Sequence, residues 1–327
     1  MYCKKYNFDG FVGDFRELLI QFVQLKQSLG FHYSADADML KRFSQFTLKY
    51  TIKNHSLTKE LVDAWTEKRP TEKDVTWEKR INNLRQFARY LSELGYEAYI
   101  PFCTAKINRN EYIPYIFTRE QICHFFTECE KIKPHPLSNK HLILPALYRL
   151  LYGCGLRISE ASALKLKDLD LEQGLITIRD SKFNKDRLIP MSPSLTQYLE
   201  KYFSKIHIFS SCDDYFFMKK DKTAYASSTV YKNFRKILWK SEISHGGKGR
   251  GPRLHDLRHT FAVHSLNQMI GQGIDIYCAL PILSTYLGHN SITATEKYLR
   301  LTEEAYPEIL DKVSKTCASI FPEVRIK

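Results

Sequence analysis

Apolar residues recur at helical spacing through most of this chain, and that pattern restricts it to a mainly α-helical fold. Between residues 11 and 96, Phe15, Leu18, Leu19, Phe22 and Leu25 mark one stripe, and Leu40, Phe43, Phe46 and Leu48 a looser second. Leu57 to Lys68 forms a third helix, with Ser56 as its N-cap. Trp77, Ile81, Leu84, Phe87, Ala88 and Leu91 define a fourth, which ends near Gly95. Its other side carries Lys79, Arg80, Arg85 and Arg89, a basic face that is either a solvated surface or a track for a phosphate backbone.

The pattern changes between Glu97 and Phe117, where Pro101 and Pro114 flank the polar run Lys106 to Glu111. This predicts a helical domain over residues 1–100, a linker over 101–116 and a second domain over 117–327. The second domain opens with Thr118 as N-cap and Gln121 three residues on, the spacing of a capping box. Leu142 to Leu151 is helical, Gly153 to Gly155 breaks it, and Ser159 to Leu166 resumes it. Leu175 to Arg179 and Arg187 to Pro190 read as two strands joined by the turn Ser181 to Asp186. Helical spacing returns from Ser194. The expected class is mainly α with one small β-hairpin or sheet.

Charge narrows the partner. Among 327 residues, 49 are Lys or Arg and 36 Asp or Glu, a net +13 that favours a polyanion. A bilayer-spanning partner role finds no support, because no apolar stretch approaches the roughly 18–20 residues a span requires. Met1 to Gly10 is too polar for a secretory signal, so the eight cysteines are expected to be reduced thiols in a cytoplasmic protein. Cys123, His124, Cys129 and His135 match no common zinc spacing, and no metal or other cofactor is expected.

Four elements carry candidate chemistry. In Leu254-His255-Asp256-Leu257-Arg258-His259-Thr260-Phe261, His255 and Arg258 stand three apart on one helix face. A guanidinium there offers forked donors to phosphate oxygens, and an imidazole beside it can exchange a proton near pH 7. The preceding loop, His245 to Arg253, is rich in Gly, Lys and Arg, including Lys248 and Arg250, and suits either a phosphate backbone or a solvated connector. Arg157, in Gly153-Cys154-Gly155-Leu156-Arg157-Ile158-Ser159-Glu160, stands at a helix threshold, where it either meets an anion or pairs with Glu160. Lys182 lies in the hairpin turn with Lys185 and Arg187 close by, positioned for a DNA groove or simply exposed. Finally His289, in Leu287-Gly288-His289, precedes Tyr298 by nine residues, with Ser291 as a cap for a short helix carrying Tyr298.

Taken in order, these residues resemble the tyrosine recombinase, or phage integrase, family, whose signature runs Arg, Lys, His-x-x-Arg, His or Trp, then Tyr. Arg157, Lys182, His255, Arg258, His289 and Tyr298 supply it here, and residues 11–96 look like the family's helical core-binding domain. The resemblance implies a core-binding domain followed by a mixed, mostly helical catalytic domain. It also implies site-specific strand exchange on double-stranded DNA by four protomers on two sites, without metal or cofactor. Tyr298 would attack the scissile phosphorus to form a 3′-phosphotyrosyl link. Arg157, Arg258 and His289 would stabilise the charged transition state, Lys182 would protonate the leaving 5′-oxygen, and His255 would assist removal of the tyrosine proton.

The sequence departs from the family in two places. Phe183 follows Lys182 where a Gly is usual, which leaves Lys182 and Lys185 both open as the lysine. The segment around Asn267 to Tyr277 is longer than in compact relatives and is expected to extend a loop. Lys79, Arg80, Arg85, Arg89, Lys185, Arg187, Lys248 and Arg250 are the expected DNA contacts. Ala305 to Phe321 resembles the helix that docks on a neighbouring protomer, with packing on its own domain as the alternative. No further DNA-binding domain is read ahead of residue 11, so no arm-type accessory sites are expected. The role implied is integrase or transposase of a mobile element. The alternatives are a Xer-like resolvase of chromosome or plasmid dimers, a type IB topoisomerase, and a non-catalytic DNA-binding regulator on the same scaffold.

Overall fold

A computed structural model describes residues 6–102, 113–179, 186–246, 251–289, 293–296 and 298. The chain divides into two compact units, Met1–Tyr112 and Ile113–Lys327.

The first unit holds α1 (Arg16–Ser28), α2 (Ser34–Thr47), α3 (Lys59–Thr66) and α4 (Asp74–Glu93). Their apolar stripes meet in a core rich in aromatic rings. Phe87 of α4 lies edge-on to Phe15 at 5.9 Å and to Phe22 at 5.6 Å, and Phe43 of α2 meets Trp65 of α3 at 5.4 Å. Such edge-to-face pairs add specificity beyond the area they bury. The cap of α3 is Thr58, whose hydroxyl accepts the Leu61 N–H, and not Ser56 as the sequence predicts. Ser56 is drawn elsewhere: its hydroxyl donates to Glu97, while the neighbouring Leu57 N–H bonds the Glu97 carbonyl. Side-chain capping there loses to a tertiary pairing that closes the unit.

The second unit is built around α6 (Lys140–Gly153), which is buried on nearly every face and packed by α5 (Arg119–Glu130), α8 (Pro193–Ile206) and α10 (Asp256–Gly271). Thr118 and Gln121 close the predicted capping box on α5. The short α7 (Ile158–Ala163) leads through a 3-10 turn to a three-stranded antiparallel sheet, β1 (Leu169–Asp170), β2 (Leu175–Ile178) and β3 (Arg187–Pro190), in that spatial order. Ile178 stands opposite Arg187 and Leu175 opposite Pro190. The two expected strands are present, and β1 adds a third too short to show as a pattern. Then come α9 (Ser227–Lys240), α10, α11 (Ile276–Leu287) and α12 (Thr293–Glu296).

The segment expected to extend a loop mostly does not. Residues 267–271 continue α10, and Asp275 caps α11 by accepting the Tyr277 N–H at 2.8 Å, so the extra length goes into helix. Ala262, Val263 and Leu266 of α10 pack against Ala279, Leu280, Leu283 and Leu287 of α11 in a small second core, and the Tyr298 ring completes it. Among the described residues, no helix is long and apolar enough to cross a membrane.

Candidate active site

Three chain breaks converge where α6, α10 and α11 meet. The first lies between α6 and α7. Gly155 has φ +58, and an added Cβ would sit 2.4 Å from Phe261 Cδ1 and 2.9 Å from Leu287 Cδ2, so glycine is needed for both conformation and space. The chain then extends through Arg157, the N-cap residue of α7. The second break is the end of α11, where Gly288 adopts φ +68. There Gly288 N–H bonds the Thr285 carbonyl and His289 N–H the Ser284 carbonyl, each at 3.0 Å, a Schellman closure. The third is the start of α10, where His255 occupies the N-cap and Arg258 the first turn.

Arg258 ties the three together. It is 1% exposed, and its guanidinium donates from Nη1 to the Gly155 carbonyl at 2.6 Å and from Nη2 to the Leu287 carbonyl at 2.8 Å. Burial, and then the Arg157 cation beside it, lower its pKa to about 10, which still leaves it charged at pH 7. Arg157 is held by Glu160, which accepts its backbone N–H at 2.9 Å and its Nη1 at 2.7 Å. The same carboxylate takes a fork from Arg187, at 3.0 and 2.9 Å. Burial of Glu160 opposes ionisation, but hydrogen bonds from Arg187 and Arg157 and their charges outweigh it and bring its pKa down to about 2.

Tyr298 is 4% exposed, and its hydroxyl lies 3.1 Å from His259 Nδ1. The His289 ring lies nearly parallel to the phenol ring at 6.1 Å, with its Nδ1 2.8 Å from Thr295 Oγ1. Burial raises the phenol pKa, while the Arg258 cation and a hydrogen bond from it, then Arg157, partly offset that rise. The three imidazoles are neutral at pH 7. Burial first, then Arg258 and Arg157, lower His289 to about 4. Burial and the same two cations lower His255 to about 4, although that side chain still reaches solvent. A group of neutral rings around paired cations is arranged for a tetrahedral anion.

Five of the six predicted chemical residues therefore come together: Arg157, His255, Arg258, His289 and Tyr298. The sixth, Lys182, and its rival Lys185 lie outside the described residues, as do Lys248, Arg250, Ser291 and the whole stretch 305–321. Of the two fates expected for Arg157, the pairing with Glu160 is present, at 2.7 Å.

The expected DNA contacts divide by burial. Lys79 and Arg89 are exposed on α4, the former 3.2 Å from Asp36. Arg85 is half-buried and bound to the Pro101 carbonyl at 2.8 Å and Asn82 at 2.7 Å. Arg80 points inward instead: it is 3% exposed, pairs with Glu72 at 2.5 Å, donates to the Glu67 carbonyl at 2.9 Å and lies over Trp65. Arg187 likewise belongs to the interior pair with Glu160, its side chain only 10% exposed. Neither guanidinium is available to a phosphate backbone without breaking its pair.

Two features escaped the sequence reading. One is His259. The other is the basic face of α9, where Lys232, Arg235, Lys236 and Lys240, with Lys140 and the 81% exposed Trp239, line a concavity of about 780 Å³. Their spacing was visible as i, i+3, i+4 and i+8 along one helix. Among the described residues, no His, Cys, Asp or Glu cluster can hold a metal.

Residues 116–305 match the phage integrase family. An integrase/recombinase of Sinorhizobium fredii is 28% identical over 314 residues, covering 92% of this chain and 97% of that protein. The tyrosine recombinase XerA of Pyrococcus furiosus is 33% identical over 172 residues, 50% of this chain and 52% of its own. Among solved structures, XerH site-specific recombinase bound to palindromic difH substrate superposes with a TM-score of 0.62 at 18% identity, over 94% of this chain and 91% of that one. The Tn1549 transposon integrase with transposon right end DNA gives 0.61 at 17%, over 90% and 99%. At these identities the two structures speak for the fold.

Proposed function

The chain belongs to the phage integrase family and is a tyrosine recombinase that cuts and rejoins DNA strands, and on that premise we propose that Tyr298 is its nucleophile. The observation that carries this is the buried Tyr298 hydroxyl, on which the Arg258 cation and then the Arg157 cation act. Tyr298 attacks the scissile phosphorus, leaving a 3′-phosphotyrosyl link and a free 5′-hydroxyl, and the link conserves the bond energy for rejoining. Arg157 and Arg258 clamp the non-bridging oxygens, and His289 adds a hydrogen bond to them. Lys182, or Lys185, protonates the leaving oxygen, and His255 stands at the rim of the site to assist proton movement. No ATP or metal enters this balance.

The helical unit, with Lys79 and Arg89 exposed on α4, serves as the core-binding domain on double-stranded DNA. In the second unit the α9 face, with Lys185, Lys248 and Arg250, supplies further backbone contacts. We assign a homotetramer on two DNA sites to strand exchange, with Ala305 to Phe321 docking on the next protomer. The role we favour is integrase or transposase of a mobile element, supported by full-length similarity to an integrase/recombinase. A Xer-like resolvase is the second reading, supported by the 33% identical XerA. A DNA substrate supports assigning this work to the cytoplasm.

The test is covalent trapping on nicked suicide duplexes drawn from both flanks of the gene, in EDTA, with wild type beside Tyr298→Phe. A wild-type adduct absent from the variant is expected. An adduct in the variant moves the nucleophile elsewhere. Binding without any adduct favours the regulator reading.

A further inference from the structure

His259 stands in the middle of the site with no role in the chemistry assigned so far. It follows Arg258 directly and lies one turn beyond His255 on α10, so its ring meets that of His255 edge-on at 4.7 Å and 89°. From there it reaches Tyr298. Apolar groups of α10 and α11 enclose the body of the phenol, leaving the hydroxyl as its one polar atom. A buried hydroxyl needs a partner, and His259 Nδ1 lies 3.1 Å from it, with the two rings 5.6 Å apart and tilted by 55°.

Resting on the assignment of Tyr298 as nucleophile, we propose that His259 is the residue that positions it: Nδ1 accepts the phenol hydrogen and holds the hydroxyl, still protonated, toward the arginine pair until a phosphate occupies the site. For Nδ1 to accept, the ring proton must sit on Nε2, the neutral tautomer. The groups facing the ring are His255 and Arg258 on α10, His289 at the end of α11, and Tyr298 itself. Burial first, then His255, Arg258 and His289, lower its pKa to about 3. An imidazole so reluctant to charge can orient the phenol without removing its proton. His259 thus differs in kind from His255, which stands at the solvent edge where a proton can leave. Burial already keeps the phenol protonated against the pull of the nearby cations, and His259 fixes where its hydrogen points.

The experiment compares full-length wild type, His259→Asn, His259→Leu and Tyr298→Phe. The readout is the single-turnover rate of covalent adduct on the nicked duplex recovered by trapping, between about pH 5.5 and 9, with binding of the same duplex measured alongside. Asn offers an oxygen near the Nδ1 position but takes up no proton. The expected result is a loss of about 10- to 100-fold for His259→Leu, a rate near wild type for His259→Asn with a pH profile of unchanged shape, and intact binding by both. Wild-type cleavage by His259→Leu overturns the proposal. So does His259→Asn that binds DNA but cleaves as slowly as Leu or loses its acid limb, since His259 would then be the proton acceptor. If Tyr298→Phe forms an adduct, the nucleophile assignment fails and this proposal with it. An inert Tyr298→Phe beside a fully active His259→Leu sinks the positioning role alone.

Discussion

Glu160→Gln removes one negative charge from beneath two guanidinium groups, and the consequence can be worked in advance. The carboxylate has its pKa lowered from 4.5 to about 2, and its side chain is 8% exposed, so solvent screening is slight. That difference corresponds to about 3 kcal/mol of native-state stability at neutral pH. Breaking a buried pair by neutralising one partner costs about 3–5 kcal/mol in other proteins, which agrees. For a unit of this size, about 2–4 °C accompanies each kcal/mol, so the melting temperature should fall by about 6–12 °C. The sign with pH follows from the lowered value. The stabilisation is complete above the unfolded pKa and is lost as pH falls toward the folded one. It should shrink from about 3 kcal/mol at pH 5.5 to about 2 at pH 3.5. Calorimetry of wild type and variant at both values checks this: the gap between them must narrow on acidification. Adduct formation at pH 7 should fall by about 100-fold, because Arg157 loses the contact that aims it. A melting temperature within about 2 °C of wild type, or a gap that widens in acid, refutes the assignment of the buried charge.

Arg258→Lys should slow adduct formation by about 10²- to 10³-fold while DNA binding persists, since an ammonium cannot reach the Gly155 and Leu287 carbonyls and a phosphate together; near-normal cleavage removes Arg258 from the clamp. Gly288→Ala forces a side chain onto φ +68, at a cost of about 1–2 kcal/mol, and brings its Cβ to 3.0 Å from Arg187 Cδ. Both melting temperature and cleavage should drop, and an unchanged melting curve contradicts the strain. Arg89→Ala should lower the slope of log K against log salt by about 0.9 without affecting stability, and Arg80→Ala should cost about 3–5 kcal/mol of stability without affecting that slope. Binding titrations at several salt concentrations, run with thermal melts, separate the two; a reversed pattern exchanges their roles.

The helices were legible because burial imposes a period, and the two strands were legible because they flank a turn. The sequence also placed Arg157, Arg258, His289 and Tyr298 in order, and their meeting point depends on local rules: a left-handed glycine at two of the three chain breaks and a guanidinium satisfied by two carbonyl ends. Where the reading went astray, it equated positive charge with exposure. Arg80 shows why this fails. At about 100° per residue, it projects within about 20° of Leu91 and 40° of Leu84, inside the apolar stripe of α4, whereas Lys79 falls well outside it and Arg89 beyond its edge. The periodicity that identified the helix therefore already argued that Arg80 was buried. What it could not supply was the partner: Glu72 lies before α4 begins, in the turn that the fold closes over Trp65. Arg187 repeats the case across a greater distance, since its mate Glu160 belongs to α7 and only the antiparallel β2–β3 pairing returns the chain to it. His259 is the converse. Its place one turn from His255 was visible, but a histidine's role is set by what lies 3 Å from its nitrogens, and Tyr298 arrives there only when α11 folds back along α10. Charge and period can be read along a chain, while the pairing of a charge, or of a lone pair, is a property of the closed fold.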